Sequence, residues 1–169
     1  MSIRWKIALI VLFSLSVLLR VVWLDADGPT ELSYRIWPFS ITDEGWWSHN
    51  AKIRVLQGTW EDGASFNPMA QCPGHSHLLY VWFSAFGVSL QSMRSLSLFL
   101  GVLSILFVYR IFSTMLSKED TFCAVLLYAF HPLALFLSRV GTNDLPATTF
   151  ALLALSLATW PGIVAAVMA

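Results

Sequence analysis

The stretch RSLSLFLGVLSILFVYRIFSTML, residues 94–116, decides the fold class. Its residues are mostly apolar, and its charges are confined to Arg94 at the start and Arg110 near the end. An α-helix rises 1.5 Å per residue, so about 20 such residues cross roughly 30 Å of bilayer hydrocarbon. The stretch therefore predicts a membrane-spanning helix.

Apolar runs on either side extend this prediction to the whole chain. Together they predict about four spans, at residues 7–24, 94–115, 121–138 and 145–167, in one module covering 1–169. The composition agrees, with 57% hydrophobic and 12% charged residues and a mean hydropathy of +0.68. We expect an all-α, polytopic membrane protein. Its net charge of zero excludes nucleic acid as a partner, because phosphate neutralisation needs clustered cations.

The segment between the first two spans, residues 25–93, is predicted to lie on the outer face. Arg4 and Lys6 precede the first run, and basic residues favour the inner side of a membrane. Residues 77–90 are too short to cross and rich in aromatics, so they predict a juxtamembrane or re-entrant helix. If residues 77–90 do not count as a span, Asp144 is predicted to lie on the same side of the membrane as Asp43. If residues 77–90 crossed, Asp144 would face the other side.

Asp43 and Glu44 stand in ITDEGWWSHNAKIRVLQGTW, residues 41–60, and seven of the ten acidic residues fall between positions 25 and 62. Two interpretations stay open for the pair. Thr42 can cap a helix that runs from Asp43 to about Gln57, with acidic residues in its first turn. Alternatively, the carboxylates carry chemistry on the outer face.

A second polar segment, SRVGTNDLPATTF at residues 138–150, separates the last two apolar runs. An ionisable residue between spans is a functional candidate by default, which singles out Asp144. The alternative is that Asp144 caps the last helix. Arg139 can pair with Asp144 or bind an anion such as phosphate.

The motif QCPGHSH, residues 71–77, brings Cys72, His75 and His77 together and offers a divalent metal as a possible cofactor. The spacing matches no standard zinc pattern, so interfacial hydrogen bonding is the alternative role for the histidines. No organic cofactor is indicated. Cys72 and Cys123 are not expected to pair. His131, which precedes Pro132, is predicted to cap a break in the third run.

Taken in order, these segments resemble the polyprenyl-phosphate-dependent glycosyltransferases of the GT-C fold. That family includes the aminoarabinose transferases of lipid A, the protein O-mannosyltransferases and a rhizobial lipopolysaccharide sugar-transferase group. One similar feature is DEGWWSHNAKIRVLQGTW, which resembles the family's Asp-Glu, then Ala, then Leu-x-x-Gly-x-Trp. The others are the proline turn and short helix of CPGHSHLLYVWFSAFG, the Arg-led second span, and the Ser-Arg and downstream Asp of residues 138–144.

The resemblance implies transfer of a sugar from a polyprenyl-phosphate donor to a hydroxyl of a lipid, glycan or protein acceptor. It implies a multi-pass protein of the bacterial inner membrane whose active loops face the outer or periplasmic side. Asp43 is then the catalytic acidic residue, Glu44 orients it, and Asp144 faces the same cavity. Arg139 binds the donor phosphate. A Glu that binds metal in the aminoarabinose transferases is Gln71 here, and His75 or His77 is the substitute ligand.

Length separates this chain from the family, whose members are several times longer. The last apolar run also ends without a polar flank, so we expect the sequence to be the N-terminal portion of a longer enzyme, inactive by itself. The alternative is a small non-catalytic polytopic membrane protein, either an assembly subunit or a transport fragment.

Overall fold

The computed structural model describes residues 3–22, 24, 44–61, 63 and 67–160. Within these ranges the chain forms helices without strands, which confirms the all-α prediction. In chain order they are α1 (Ile3–Val21), α2 (Glu44–Gln57), α3 (Pro68–Gln71), α4 (Pro73–Phe86), α5 (Leu90–Ser113), α6 (Lys118–Phe130), α7 (Pro132–Leu137) and α8 (Asp144–Ala158).

The two longer helices of the predicted outer segment, α2 and α4, are each followed by a glycine with positive φ. Gly58, with φ of 79°, follows α2 as predicted, and Gly87, with φ of 82°, follows α4. Only glycine adopts this backbone conformation without steric cost. The helix α4 begins at Pro73, four residues earlier than the predicted start at 77. Thr42 and Asp43, the predicted start of α2, lie outside the described residues.

The third apolar run is broken, as the His131–Pro132 pair predicts. Proline has no backbone N–H and clashes with the preceding turn, so α6 ends at Phe130. His131 then caps α7, because its Nδ1 accepts a hydrogen bond from the Leu133 backbone N–H at 3.2 Å. Residues 118–120 form the first turn of α6. The Ser117 side chain caps that turn by accepting from the Asp120 N–H at 3.2 Å.

Among the described residues, α5 is the one helix long and apolar enough to cross a membrane by itself, and α8 is a shorter apolar helix. Ser89 caps α5 by accepting from the Ser92 backbone N–H at 3.0 Å. The 19-residue α1 carries Arg4, Lys6 and Arg20 within its apolar sequence. The predicted number of spans stays a prediction.

The helix α5 is the centre of the packing and contacts α8, α6 and α4, while α2 packs on α4. Two buried clusters lie along it. The first contains Ala51, Leu79, Phe83, Met93, Leu96, Leu100 and Leu145, and the second contains Leu12, Ile105, Val108, Val125 and Ala129. Large apolar side chains elsewhere on α1 are exposed, which suits a surface facing lipid.

The chain direction gives the molecule two distinct ends. From the predicted orientation, we call the end that contains Leu24, Glu44, Arg94 and Gly141 the outer end. The opposite end contains Arg110, whose guanidinium lies 4.7 Å from the ring centroid of Trp160, and we call it the inner end. Among the described residues that the sequence singles out, Glu44, Arg139 and Asp144 lie at the outer end.

Candidate functional site

A buried ion pair occupies the outer end. Arg94 donates from Nε to Glu44 Oε1 at 2.9 Å and from Nη2 to Oε2 at 2.8 Å. Arg94 is completely buried and Glu44 is 3% exposed. Such a two-point guanidinium–carboxylate geometry is the strongest form of ion pair between side chains. It fixes Glu44 in the first turn of α2, where the helix dipole also favours a negative charge.

Two backbone groups complete this ion pair. The Gly141 N–H donates to Glu44 Oε1 at 2.7 Å, and Arg94 Nη1 donates to the Leu24 carbonyl at 2.8 Å. The residues Leu24, Glu44, Arg94 and Gly141 form what we call the Glu44 junction. It joins four segments: the chain following α1, the start of α2, the first turns of α5 and the loop before α8.

The junction sets the position of Asp144. This residue follows Gly141 by three positions and is the first residue of α8, with an exposed side chain. No side-chain cap is formed by Asn143, while the Asp144 carbonyl accepts from Thr148 Oγ1 at 2.9 Å. Glu44 and Asp144 therefore lie at the same end of the molecule. Asp43, which directly precedes Glu44 in the sequence, lies outside the described residues.

His75 is a buried imidazole in α4, a helix that we predict to lie in the outer interface. It is 4% exposed, and neither ring nitrogen has a hydrogen-bond partner among the described residues. Its ring centroid lies 6.1 Å from that of Trp47. Burial lowers the pKa of His75 to about 4, although the negative charge of Asp144 opposes the shift. The imidazole is therefore neutral at pH 7.

His77 lies in different surroundings. It is exposed, its Nδ1 is hydrogen-bonded to the Pro73 carbonyl at 2.7 Å, and its ring packs on Trp60 with centroids 4.7 Å apart. Within the described part of the chain, no three His, Cys, Asp or Glu side chains come together to hold a metal ion. Cys72 and Cys123 are free thiols, as predicted. Metal binding by His75 or His77 stays a prediction.

Arg139, the predicted phosphate ligand, is half-buried in the turn that follows α7. Its backbone N–H donates to the Phe136 carbonyl at 2.9 Å. Two residues further along, Gly141 enters the Glu44 junction. Arg139 is thus held at the outer end by backbone contacts on both sides.

Two cavities open near these residues. A mixed pocket of about 260 Å³ lies between α2, the end of α4 and the start of α5. Its lining residues are Glu44, Gly45, Ser48, Lys52, Phe83, Val88, Ser89, Leu90 and Met93. An apolar groove of about 340 Å³, which we call the α7 groove, is lined by Leu127, Tyr128, His131, Leu133, Ala134, Leu137, Leu145 and Thr148.

A protein-family model matches residues 70–160, which is more than half of the chain. Its description is dolichyl-phosphate-mannose-protein mannosyltransferase. The match defines a class, the membrane glycosyltransferases of the GT-C type, and within that class the chain belongs to the dolichyl-phosphate-mannose-protein mannosyltransferase family. The family implies a membrane setting and a lipid-linked sugar donor. No curated protein and no solved structure matches the chain.

Sequence reasoning assigned no role to two residues that the structure makes prominent. Arg94 only marked the start of a span, and Arg20 lies inside the first predicted span, residues 7–24, yet both are completely buried. A signal was present in each case, since an ionisable residue within or beside an apolar run is expensive to bury. Arg94 pairs with Glu44, 50 positions away, and Arg20 bonds Ala129 and Ser138, more than 100 positions away, so the pattern could not name these partners.

Proposed function

We propose that the outer end forms part of the catalytic centre of a glycosyltransferase that moves a sugar from a polyprenyl phosphate to an acceptor hydroxyl. One observation carries the proposal. Glu44 accepts the Gly141 N–H at 2.7 Å, so the start of α2, which directly follows Asp43 in the sequence, and the loop that leads to Asp144 meet at one end. A non-catalytic membrane protein would not need these two acidic segments to converge.

In the proposed reaction Asp43 is the general base. Its carboxylate takes the proton of the acceptor hydroxyl while that oxygen attacks the anomeric carbon of the sugar. The bond from the anomeric carbon to the phosphate oxygen breaks, and its electron pair leaves with the lipid phosphate, so the configuration inverts. Positioned general bases contribute on the order of 10² to 10⁴ in rate.

Glu44 has a positioning role in this scheme. Its oxygens are occupied by Arg94 and the Gly141 N–H, so we propose that it fixes the chain next to Asp43 and does not itself exchange protons. Asp144, exposed at the start of α8, faces the same end and is proposed to bind substrate hydroxyls.

The donor's phosphate and lipid have separate proposed places. Arg139 supplies a positive charge for the phosphate as it departs. The lining of the α7 groove includes Leu137, two residues before Arg139, and its apolar character suits an isoprenoid chain. If a divalent ion is present, it would add positive charge beside the phosphate. Among the described residues, His75 is the best candidate for a ligand of that ion, because neither of its ring nitrogens has a hydrogen-bond partner.

Substitution of the proposed base tests this function. In the complete protein in its membranes, we expect Asp43→Asn to lower sugar transfer by at least about 100-fold, because the amide cannot accept the proton. Binding of the lipid-phosphate donor, measured by native mass spectrometry, should be unchanged. Asp62→Asn, which changes another acidic residue of the segment predicted to lie on the outer face, is the matched control and should keep normal transfer. Near-normal transfer by Asp43→Asn would remove Asp43 from the reaction.

A further inference from the structure

Arg20, at the last turn of α1, is a completely buried cation held by several neighbours. Its Nε donates to Ser138 Oγ at 3.1 Å. Its Nη1 donates to the Ala129 carbonyl at 3.0 Å and to the Ser16 carbonyl at 3.1 Å, and also contacts the Ser16 hydroxyl. These bonds join α1 to both sides of the break between α6 and α7.

The Ala129 carbonyl needs this donor because the helix is interrupted. In a continuous helix it would accept from the Leu133 N–H, but that N–H donates to His131 Nδ1 instead. A buried carbonyl without a donor costs about 1–3 kcal/mol. Arg20, together with Ser16 Oγ at 3.4 Å, satisfies it.

Ser138 is held from three directions. It accepts from Arg20, it donates to the Ala134 carbonyl at 2.5 Å, and it packs against Gly101 of α5. A Cβ built on Gly101 would lie 2.8 Å from the Ser138 Cβ, so no larger residue fits between them without a shift. The residue after Ser138 is Arg139, the proposed phosphate ligand.

The charge of Arg20 is expensive where it stands. Among the described residues its hydrogen-bond partners are hydroxyls and carbonyls and include no carboxylate, and its Nη2 has no partner. The positive charge of Arg139 acts on it unfavourably. An apolar side chain would avoid the cost of burying this charge, although it would leave the Ala129 carbonyl with only the 3.4 Å bond from Ser16 Oγ. The presence of a guanidinium at this position therefore indicates a role other than packing.

We propose that Arg20 is a positioning residue for the donor phosphate. It ties the end of α6 and Ser138 to α1, and thereby fixes the turn from which Arg139 reaches the phosphate. The inference rests on the proposed function, in which Arg139 binds that phosphate. Arg20 acts through Arg139 and does not itself contact the substrate.

A double-mutant cycle on lipid-phosphate binding tests this inference. The probe is dolichyl phosphate, and its dissociation constant is measured by native mass spectrometry on the complete protein in detergent. We expect Arg20→Gln and Arg139→Gln each to weaken binding about tenfold. Because Arg20 works through Arg139, the double variant should bind within about threefold of Arg139→Gln alone, as coupled residues do. Arg110→Gln, at the inner end, is the control and should bind as the unmodified protein does.

Two further variants separate the possible roles. Arg20→Lys keeps the charge but loses the simultaneous bonds to Ala129 and Ser138, so positioning predicts a loss close to that of Arg20→Gln. Normal binding by Arg20→Lys would show that only the charge matters. Ser138→Ala removes the hydroxyl that Arg20 holds, and it provides the test if Arg20→Gln does not fold. We expect it to weaken binding by about threefold, with its unfolding temperature measured in parallel.

The outcomes that overturn the inference differ from those that overturn the proposed function. Normal binding by Arg20→Gln, or by Ser138→Ala where that variant supplies the test, would reduce Arg20 to a structural residue. If the factors by which the two single substitutions weaken binding multiply in the double variant, Arg20 acts independently of Arg139. If Arg139→Gln binds normally, or the unmodified protein does not bind dolichyl phosphate, the proposed function loses its phosphate ligand or its donor.

Discussion

The arginines at the two ends of α5 lie in different surroundings. At the outer end Arg94 is completely buried against Glu44, and Arg20 is completely buried nearby. At the inner end Arg110 lies over the ring of Trp160, which is 53% exposed. The charged residues Lys118, Glu119 and Asp120 of the inner end are exposed as well.

The cations and the aromatic ring of the inner end suit a membrane boundary, because such groups are stable at the interface between water and hydrocarbon. The buried charges of the outer end cost more free energy, since each of them must be compensated by hydrogen bonds. Proteins keep such groups where geometry has to be fixed, and here the fixed segments are those that carry the proposed catalytic residues. The inner end therefore has the features of a membrane boundary and the outer end has those of a functional site, and three measurements test this difference.

The largest expected effect is that of Arg94→Gln. It leaves the buried Glu44 carboxylate without its cation and removes the donor to the Leu24 carbonyl. Removing one partner of a buried ion pair costs about 3–5 kcal/mol, whereas the cation–π contact of Arg110 is worth about 0.5–1 kcal/mol. The midpoint temperature of unfolding in detergent should therefore fall far more for Arg94→Gln than for Arg110→Gln.

A second variant shows whether the unpaired carboxylate causes this loss. In Glu44→Gln/Arg94→Gln the buried charge is absent, so part of the lost stability should return. If Arg94→Gln and Arg110→Gln lower the midpoint equally, the two ends do not differ in the way the burial indicates.

The outer end also contains most of the structural features that the sequence did not predict. The helices α5 and α8 follow from long apolar runs, and the break before α7 follows from His131 and Pro132, because these are local effects. The convergence of Glu44, Arg94 and Gly141 depends on contacts between residues 50 and 97 positions apart, which no local pattern specifies. His75 and His77 share one motif, but helical geometry sends them into different surroundings. The roles of Asp43, Asp144 and Arg139 stay predictions.

The next effect depends on pH and arises from His75. Its ordinary pKa of 6.5 applies in the unfolded chain, and burial lowers it to about 4 in the folded protein. Between these values the unfolded state binds a proton that the folded state does not, so stability falls as the pH falls from 6.5 towards 4 and is level above 6.5. The full loss is about 3 kcal/mol.

Unfolding temperatures measured across this pH range for two histidine variants isolate the contribution. His75→Gln should show a flatter profile than the unmodified protein, because the titrating group is gone. His77→Gln removes an exposed imidazole and should keep the original profile. Identical profiles for His75→Gln and the unmodified protein would mean that His75 is not the buried titrating group.

The smallest effect concerns the close approach between α5 and the end of α7. Gly101→Ala places a methyl group 2.8 Å from the Ser138 Cβ, and overpacking of this kind typically costs about 1–3 kcal/mol. Alanine also favours helix over glycine by about 1 kcal/mol, which offsets part of that loss. Gly74→Ala is the matched control, because nothing lies within 4 Å of its Cβ position. We expect Gly101→Ala to lower the unfolding temperature and Gly74→Ala to leave it unchanged or raise it. If both variants raise it, Ser138 can move away from α5, and the turn that carries Arg139 is less tightly fixed than the buried contacts of the outer end imply.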